Sequence, residues 1–401
     1  MSSHRRLRSA TIALLASPLA FAGCDRASAS ASRFTTVDTL PTGTVHVTIA
    51  PEAREHVPRW KIVEDLRIGA IRGPGPDVFG DARAVEADGE GRIYVLDAQA
   101  MEVRVFAPDG SHIRTVGREG GGPGEFQRPN GLALGPDDIV YVYDQANQRL
   151  TGLLNGGDSL IAHPLRTSHW GWVWDGVITA DGRLHDRVYD RRGEERLTYM
   201  RRYDLATAAI DSLPLEIRFE RPPNYIQTPR GSTSIPFSPS LATHVDREGH
   251  VWFATTDMYR LHRMNLVSGD TLLVVDFETP PVPVPDAERD ARMARIDSFV
   301  RQTGGTDWDR SLIPTMKPLL QQLEVDDRGR LWVRMNSTTP ETPIDIFDAE
   351  GRLVATTSTS LPFLSYDGQL RIQGDHIYAI VRDELDVQYV VRARIEPIPQ
   401  Q

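Results

Sequence analysis

The residues of this 401-residue chain with most chemistry to offer are eleven histidines, one cysteine and a cluster of tryptophans. A zinc site needs three or four donors converging on one point, and the histidine spacing does not supply them. His244 alone falls on a strand that the repeat described below places innermost; His185 lies on a second strand and His169 just ahead of the third repeat. An isolated histidine of that kind reads first as a packing or surface residue. No Gly-x-Ser-x-Gly elbow occurs. Cys24 is the sole cysteine, so there is no internal disulfide and no cysteine nucleophile in the body of the chain. Gly117–Gly124 lacks the Gly-Lys-Ser/Thr that opens a phosphate-binding helix and carries Pro123 and Glu125 there instead. The sequence thus offers no catalytic set, no metal centre and no cofactor site. Trp170, Trp172 and Trp174 alternate, so in a strand they share one side. They make either an aromatic platform for a sugar or peptide or packing between sheets. Packing is the stronger reading, with Trp170 the one best placed to be exposed.

A repeat positions these residues. An Asp/Gly turn followed by an apolar residue and an aromatic occurs as Asp88–Val95, Asp246–Phe253 and Asp326–Val333. Weaker copies are Pro136–Val142 and Gly374–Ala379, and a degenerate one is Asp181–His185. The marker position falls at 94, 141, 185, 252, 332 and 378, giving spacings of 47, 44, 67, 80 and 46. Three spacings match the ~45 residues of a four-stranded propeller blade, and the two long ones each hold an insertion. A second turn, at Phe106–Ser111, Met264–Asp270 and Phe347–Arg352, joins a later strand pair in the same units. The last unit is one strand short, and Trp60–Ile68 is expected to complete it, leaving no terminal sheet edge. The fold class is therefore all-β: a six-bladed β-propeller of four-stranded antiparallel blades. An N-terminal strand closes the last blade, and one short helical insertion lies between blades four and five.

The insertions are 219–239 and 279–317. Both link a fourth strand to the next first strand, so both emerge on the face that also carries the turns between strands two and three, here called the upper face. Long loops on one side of a rigid scaffold usually mark its working side. Asp286 is expected to cap a helix whose apolar face, Met293, Ile296 and Val300, lies down on the blades, with Gly304-Gly305 ending it. That helix reads equally as a lid or a buttress. Topology places Arg128, Asn130, Asp144, Asn147, His244, Gln321, Gln322 and Asn336 at the upper mouth. Tyr225, Gln227, Arg230 and Phe237 sit in the first insertion. Together with Trp170 these are the candidate ligand-binding residues.

The N-terminus reads as an export signal. Arg5, Arg6 and Arg8 precede an apolar run, Thr11–Phe21, that is too short to span a membrane. Phe21-Ala22-Gly23-Cys24 resembles the lipobox of bacterial lipoproteins, and the resemblance implies cleavage before Cys24 and lipid on it. Phe21 departs from the aliphatic residue usual there. The expected organisation is a signal peptide at 1–23, a flexible tether at 24–43 rich in Ala, Ser and Thr, and the propeller at 44–401. Without the signal, 42 Lys and Arg face 55 Asp and Glu, a poor balance for a nucleic-acid partner. Gly117–Leu132 resembles the start of an NHL repeat, and Tyr141–Asp144 with Asn147–Leu150 its second half. The whole is similar to bacterial six-bladed propeller lipoproteins with NHL-like blades, closely in blades one and two and in rhythm alone later. That resemblance implies a fold and an address facing the periplasm or exterior. The expected function is non-catalytic binding of a protein, peptide or glycan at the cell envelope, with membrane contact through the lipid alone. The alternatives are a metal-dependent propeller hydrolase or lyase with a cation in the central channel, and a structural assembly component.

Overall fold

The structure is a computed structural model that describes residues 32–165, 173–192, 195–217, 225–361 and 370–398. Five antiparallel blades follow the chain order. Blade 1 comprises Ala82–Ala87, Ile93–Asp97, Glu102–Phe106 and His112–Val116, and blade 2 comprises Pro129–Leu134, Val140–Asp144, Arg149–Leu154 and Ser159–Pro164. Blade 3 is Val177–Ile178, Arg183–Arg192, Glu195–Asp204 and Ile210–Ile217. Blade 4 is Leu241–Val245, His250–Thr255, Arg260–Asn265 and Thr271–Phe277, and blade 5 is Leu320–Val325, Leu331–Met335, Thr342–Phe347 and Leu353–Thr359. Blade 6 joins Arg371–Gln373, His376–Arg382 and Gln388–Pro397 to Trp60–Ile68, which pairs antiparallel with the C-terminal strand as its outermost member. The ring is closed as the sequence requires.

The recurring turn has a physical cause. In blade 1 the wholly buried Asp88 accepts the Glu90 and Arg92 amides at 3.0 Å each, the Arg92 guanidinium at 2.6 Å and the Tyr94 hydroxyl at 2.8 Å. Asp326 repeats this in blade 5 with Arg330 and with Trp332, whose indole N–H donates at 2.9 Å. Gly91 and Gly329 both sit at φ 76°, where a Cβ would be strained. The carboxylate thus anchors the hairpin and satisfies the polar atom of the buried aromatic. The aromatics, with Trp252 in blade 4, are among the largest fully buried side chains and fill the space between blades.

The wall of blade 4 is thicker than expected. Val45–Ile49 pairs in parallel with Leu273–Phe277, and Thr35–Thr39 pairs antiparallel beyond it, making six strands. The tether assigned to 24–43 is therefore corrected: its Thr-rich end forms a strand. Threonine is β-branched and favours an extended pleated edge, and Val47 and Ile49 are buried beside it. From there the chain crosses blade 5, where Thr356 donates its amide to Pro58 at 3.0 Å, before entering blade 6. Residues 32–68 form a strap over three blades.

The two insertions fold together. A hairpin, Tyr225–Thr228 with Gly231–Ser234, packs Ile226 and Ile235 against Ile296 and Val300 of helix α1, Asp286–Gln302, together with Trp308 and Ile313. The apolar face of α1 is thus covered by the other insertion and by the return segment of its own, where the sequence pointed to the blades. The helix starts after Pro285, which occupies the cap position, so Asp286 is its first residue and makes no cap. Asp286 and Glu288 still meet the positive end of the helix dipole. Gly304, at φ 81°, ends it as expected.

Candidate functional site

Two places bring chemistry together: the axis of the ring and the upper face beneath the cap. At the axis, strand register aligns six equivalent positions. Glu86 stands opposite Tyr94, Ala133 opposite Tyr141, Val177 opposite His185, His244 opposite Trp252, Glu324 opposite Trp332 and Arg371 opposite Tyr378. Blades 4, 5, 6 and 1 therefore contribute His, Glu, Arg and Glu in succession, and blades 2 and 3 contribute Ala and Val. Arg371 bridges its neighbours, reaching Glu86 at 2.9 Å and Glu324 at 3.2 Å. His244 Nδ1 lies 3.6 Å from the far oxygen of Glu324.

Burial governs the titration of this layer. It pushes the Glu324 carboxyl up to about 7, with Arg371 opposing and Glu86 adding repulsion. Burial also pushes His244 down to about 3, aided by Arg371, so the imidazole is neutral. Burial pulls on the Arg371 guanidinium too, but Glu86 and Glu324 hold it above its ordinary value. A guanidinium therefore already occupies the place between the two carboxylates where a channel cation would sit. In the first turn of blade 4, the buried Asp246, the exposed Glu248 and the half-buried His250 bring donor atoms within 4.8 Å of one another. The Arg263 guanidinium lies 3.0 Å from Asp246, 3.2 Å from Glu248 and 3.0 Å from His250, again in the position of a cation.

The residues assigned to the upper mouth divide into structural and accessible ones. Asp144 is wholly buried and accepts the amides of Gln127, Arg128, Ala146 and Asn147 at 2.9–3.2 Å and the Asn147 side chain at 2.7 Å. Asn147 also donates to the Gly120 and Glu125 carbonyls. Both residues staple a blade connection, and for the wholly buried Asp144 this corrects its assignment as a ligand contact. Asp97 does the same in blade 1. Asn130 is buried at a β-bulge and accepts from Arg83 at 3.3 Å. Gln321 occupies the equivalent bulge of blade 5 and donates to Asn336 at 3.0 Å, while Asn336 donates to the Pro318 carbonyl at 2.8 Å. Arg128 is exposed. Arg230 caps α1 by donating to the Gln302 carbonyl at 2.8 Å. Tyr225 begins the cap hairpin and is half-buried. Trp170, Trp172 and Cys24 lie outside the described residues. Trp174 is buried against Tyr143 and donates to Asp186 at 3.1 Å, in keeping with packing.

Between the cap and the rim of blades 4 and 5 lies a cleft of about 270 Å³. Its walls are Phe237 and Pro239 from the first insertion, Pro281, Pro314 and Met316 from the second, and Leu319 at the start of blade 5. Asp257, in the upper turn of blade 4, and Lys317 are its charged residues. Phe237 holds φ 61°, an unfavourable conformation for an aromatic residue that costs on the order of 1–3 kcal/mol. Sequence reasoning named Phe237 but missed Asp257, Met316 and Leu319, because nothing in their local pattern sets them apart. The axial Glu86, Glu324 and Arg371 were also missed, although a signal existed. They stand eight residues before the marker aromatic in five blades and seven in blade 6, where the turn is shorter.

A family model described as a 6-bladed beta-propeller matches residues 79–154. No curated protein matches the chain. Among solved structures, a member of the duf4221 family from Bacteroides vulgatus is 8% identical over 85% of this chain and 99% of its own, with a TM-score of 0.45. A protein of Bacteroides fragilis is 13% identical over 88% of this chain and 99% of its own, with a TM-score of 0.47. Virginiamycin B lyase from Staphylococcus aureus is 12% identical over 90% and 94%, with a TM-score of 0.39. Six blades in register, closed by Trp60–Ile68, and the family match make this chain a six-bladed β-propeller.

Proposed function

We propose that this chain is a non-catalytic binding propeller of the bacterial cell envelope. Lipid on Cys24 tethers it, and it engages a protein, peptide or glycan on the face carrying 219–239 and 279–317. One observation carries the reading: the two insertions share a core, and together they leave an apolar cleft against the blade rim. A cap that merely braced the ring would close onto it. The cation-dependent hydrolase or lyase reading is weaker, because the Arg371 guanidinium already bridges the two axial carboxylates. Among the described residues no helix is long and apolar enough to cross a membrane.

Met316 is 47% exposed in the cleft, so Met316→Glu should leave the melting temperature nearly unchanged while placing a charge where the ligand sits. A partner that co-purifies with the intact protein from membranes should be lost with Met316→Glu. It should be retained by Val37→Glu, on the outer wall. Equal recovery from both variants would sink the cleft as the working site. Separately, Cys24→Ala should move the protein from the membrane fraction to the soluble one and remove the mass of the lipid. A Cys24→Ala protein still sedimenting with membranes would end the anchoring proposal.

A further inference from the structure

The chemistry of the cleft narrows its occupant. Resting on the reading above, we infer that the cleft receives a peptide segment of a partner protein that presents one apolar side chain beside a lysine or arginine. A space of about 270 Å³ falls just below the ~300–1,000 Å³ of pockets that enclose whole small ligands. It is large enough for a single anchoring side chain of the kind that dominates protein interfaces. The walls formed by Phe237, Pro281, Pro314, Met316 and Leu319 present mostly carbon. A glycan would bury hydroxyls there without partners, which is costly. Pro281, Pro314 and Pro318 also lack amide donors, so main-chain pairing with a partner strand would be interrupted along the rim. Recognition must therefore come from the side chain that enters.

Charge supplies the second half of the signature. Lys317 is engaged, its ammonium 2.7 Å from Glu288 and 3.1 Å from the Ser337 carbonyl. Asp257 is exposed and makes no hydrogen bond or ion pair among the described residues. Glu278, next to the lining residue Thr279, is a second exposed carboxylate without such a partner. The uncompensated charge at the cleft is thus negative, and a cationic residue flanking the apolar anchor complements it.

Three capped tetrapeptides test this on the full-length protein by isothermal titration calorimetry at low salt: Gly-Phe-Lys-Gly, Gly-Phe-Gln-Gly and Gly-Phe-Glu-Gly. The lysine peptide should bind about 2- to 5-fold more tightly than the glutamine peptide, as expected for one exposed ion pair, and the glutamate peptide most weakly. Asp257→Asn should reduce that ordering, and salt should compress it. Met316→Glu should abolish the apolar contribution shared by all three. Equal affinity for the three peptides overturns the charge assignment and leaves the cleft as a binding site. Binding of the glutamine and glutamate peptides that survives Met316→Glu places the peptides elsewhere and overturns both readings. Absence of any binding up to about 10 mM peptide, an affinity weaker than about −3 kcal/mol, overturns the inference, and the co-purification experiment then judges the cleft independently.

Discussion

Replacing Arg54 by methionine will lower the unfolding free energy by about 3–5 kcal/mol, the usual consequence of removing one partner from a buried ion pair. Arg54 lies in the strap, and its guanidinium meets both oxygens of Asp345 in blade 5 at 2.7–3.1 Å. The Asp345 side chain is 1% exposed, and its other side-chain partner is the Tyr259 hydroxyl of blade 4 at 2.8 Å. The Arg54 guanidinium also lies 4.0 Å from the centroid of the Phe277 ring, a cation–π contact that methionine cannot replace. Burial works against the Arg54 charge, and Asp345 and Tyr259 more than restore it, so the arginine stays ionised and its loss strands a carboxylate. Denaturant titration should show this loss for Arg54→Met. Adding Asp345→Asn in the same chain should recover part of it, since the stranded charge is then gone. A single variant within about 1 kcal/mol of the parent would show that the strap is not tied to the ring there. Arg54 also donates to Thr279 at 3.2 Å, and Thr279 lines the cleft. The same variant should therefore weaken binding at the cleft, because the strap supports its floor.

The architecture was legible because it rests on a local chemical device repeated along the chain. The aspartate of Asp88–Val95 or Asp326–Val333 anchors its own hairpin and its own aromatic, so the motif survives as sequence and its period counts the blades. Ring closure was legible for a related reason: blade 6 lacked a strand, and Trp60–Ile68 was the unassigned strand-like run before blade 1. The strap was not legible. Val45–Ile49 alternates plausibly enough, but its partner Leu273–Phe277 lies more than 220 residues away and pairs in parallel, and no turn residue announces such a contact. The cap was half legible. The periodicity of α1 gave its buried face correctly, and what covers that face depends on a hairpin from a different blade link. The candidate site suffered most. Asp144 and Asn147 looked like ligands because polar residues in upper turns often are, whereas here their oxygens and amides hold main chain. A carboxylate that staples a loop and one that awaits a ligand have the same letter in the sequence; only the count of donors around it separates them. Asp257 illustrates the converse.

The axial layer gives the second large effect. Arg371→Met will leave Glu86 and Glu324, each with 5% of its side chain exposed, facing one another without the cation between them. At pH 8 the expected loss is again about 3–5 kcal/mol. It should shrink as the pH falls toward 5.5, because burial holds the Glu324 carboxyl up, so that it takes up a proton there and the repulsion disappears. In the parent protein the sign runs the same way for Glu324. Burial raises its carboxyl to about 7 from an ordinary 4.5. The folded state therefore binds more protons between those values, and the stability from this group is lost as the pH rises through about 7. His244, lowered to about 3 from 6.5, acts oppositely: its contribution is complete above 6.5 and lost as the pH falls through about 3. Between 4.5 and 6.5 the two slopes oppose, so these two groups should leave a plateau bounded by a decline on each side. Glu324→Gln keeps the neutral form at every pH. It should remove the opposing slope of Glu324, worth about 3 kcal/mol in all between pH 4.5 and 7, so that stability rises with pH up to about 6.5 and then levels, while the acid decline persists. It should also rescue Arg371→Met at pH 8, because one carboxylate in the layer no longer needs the arginine. Stability profiles of Arg371→Met that run parallel to the parent from pH 5.5 to 8 would mean that Glu86 and Glu324 are held by something other than Arg371. The guanidinium would then not be what keeps two acids together on the axis.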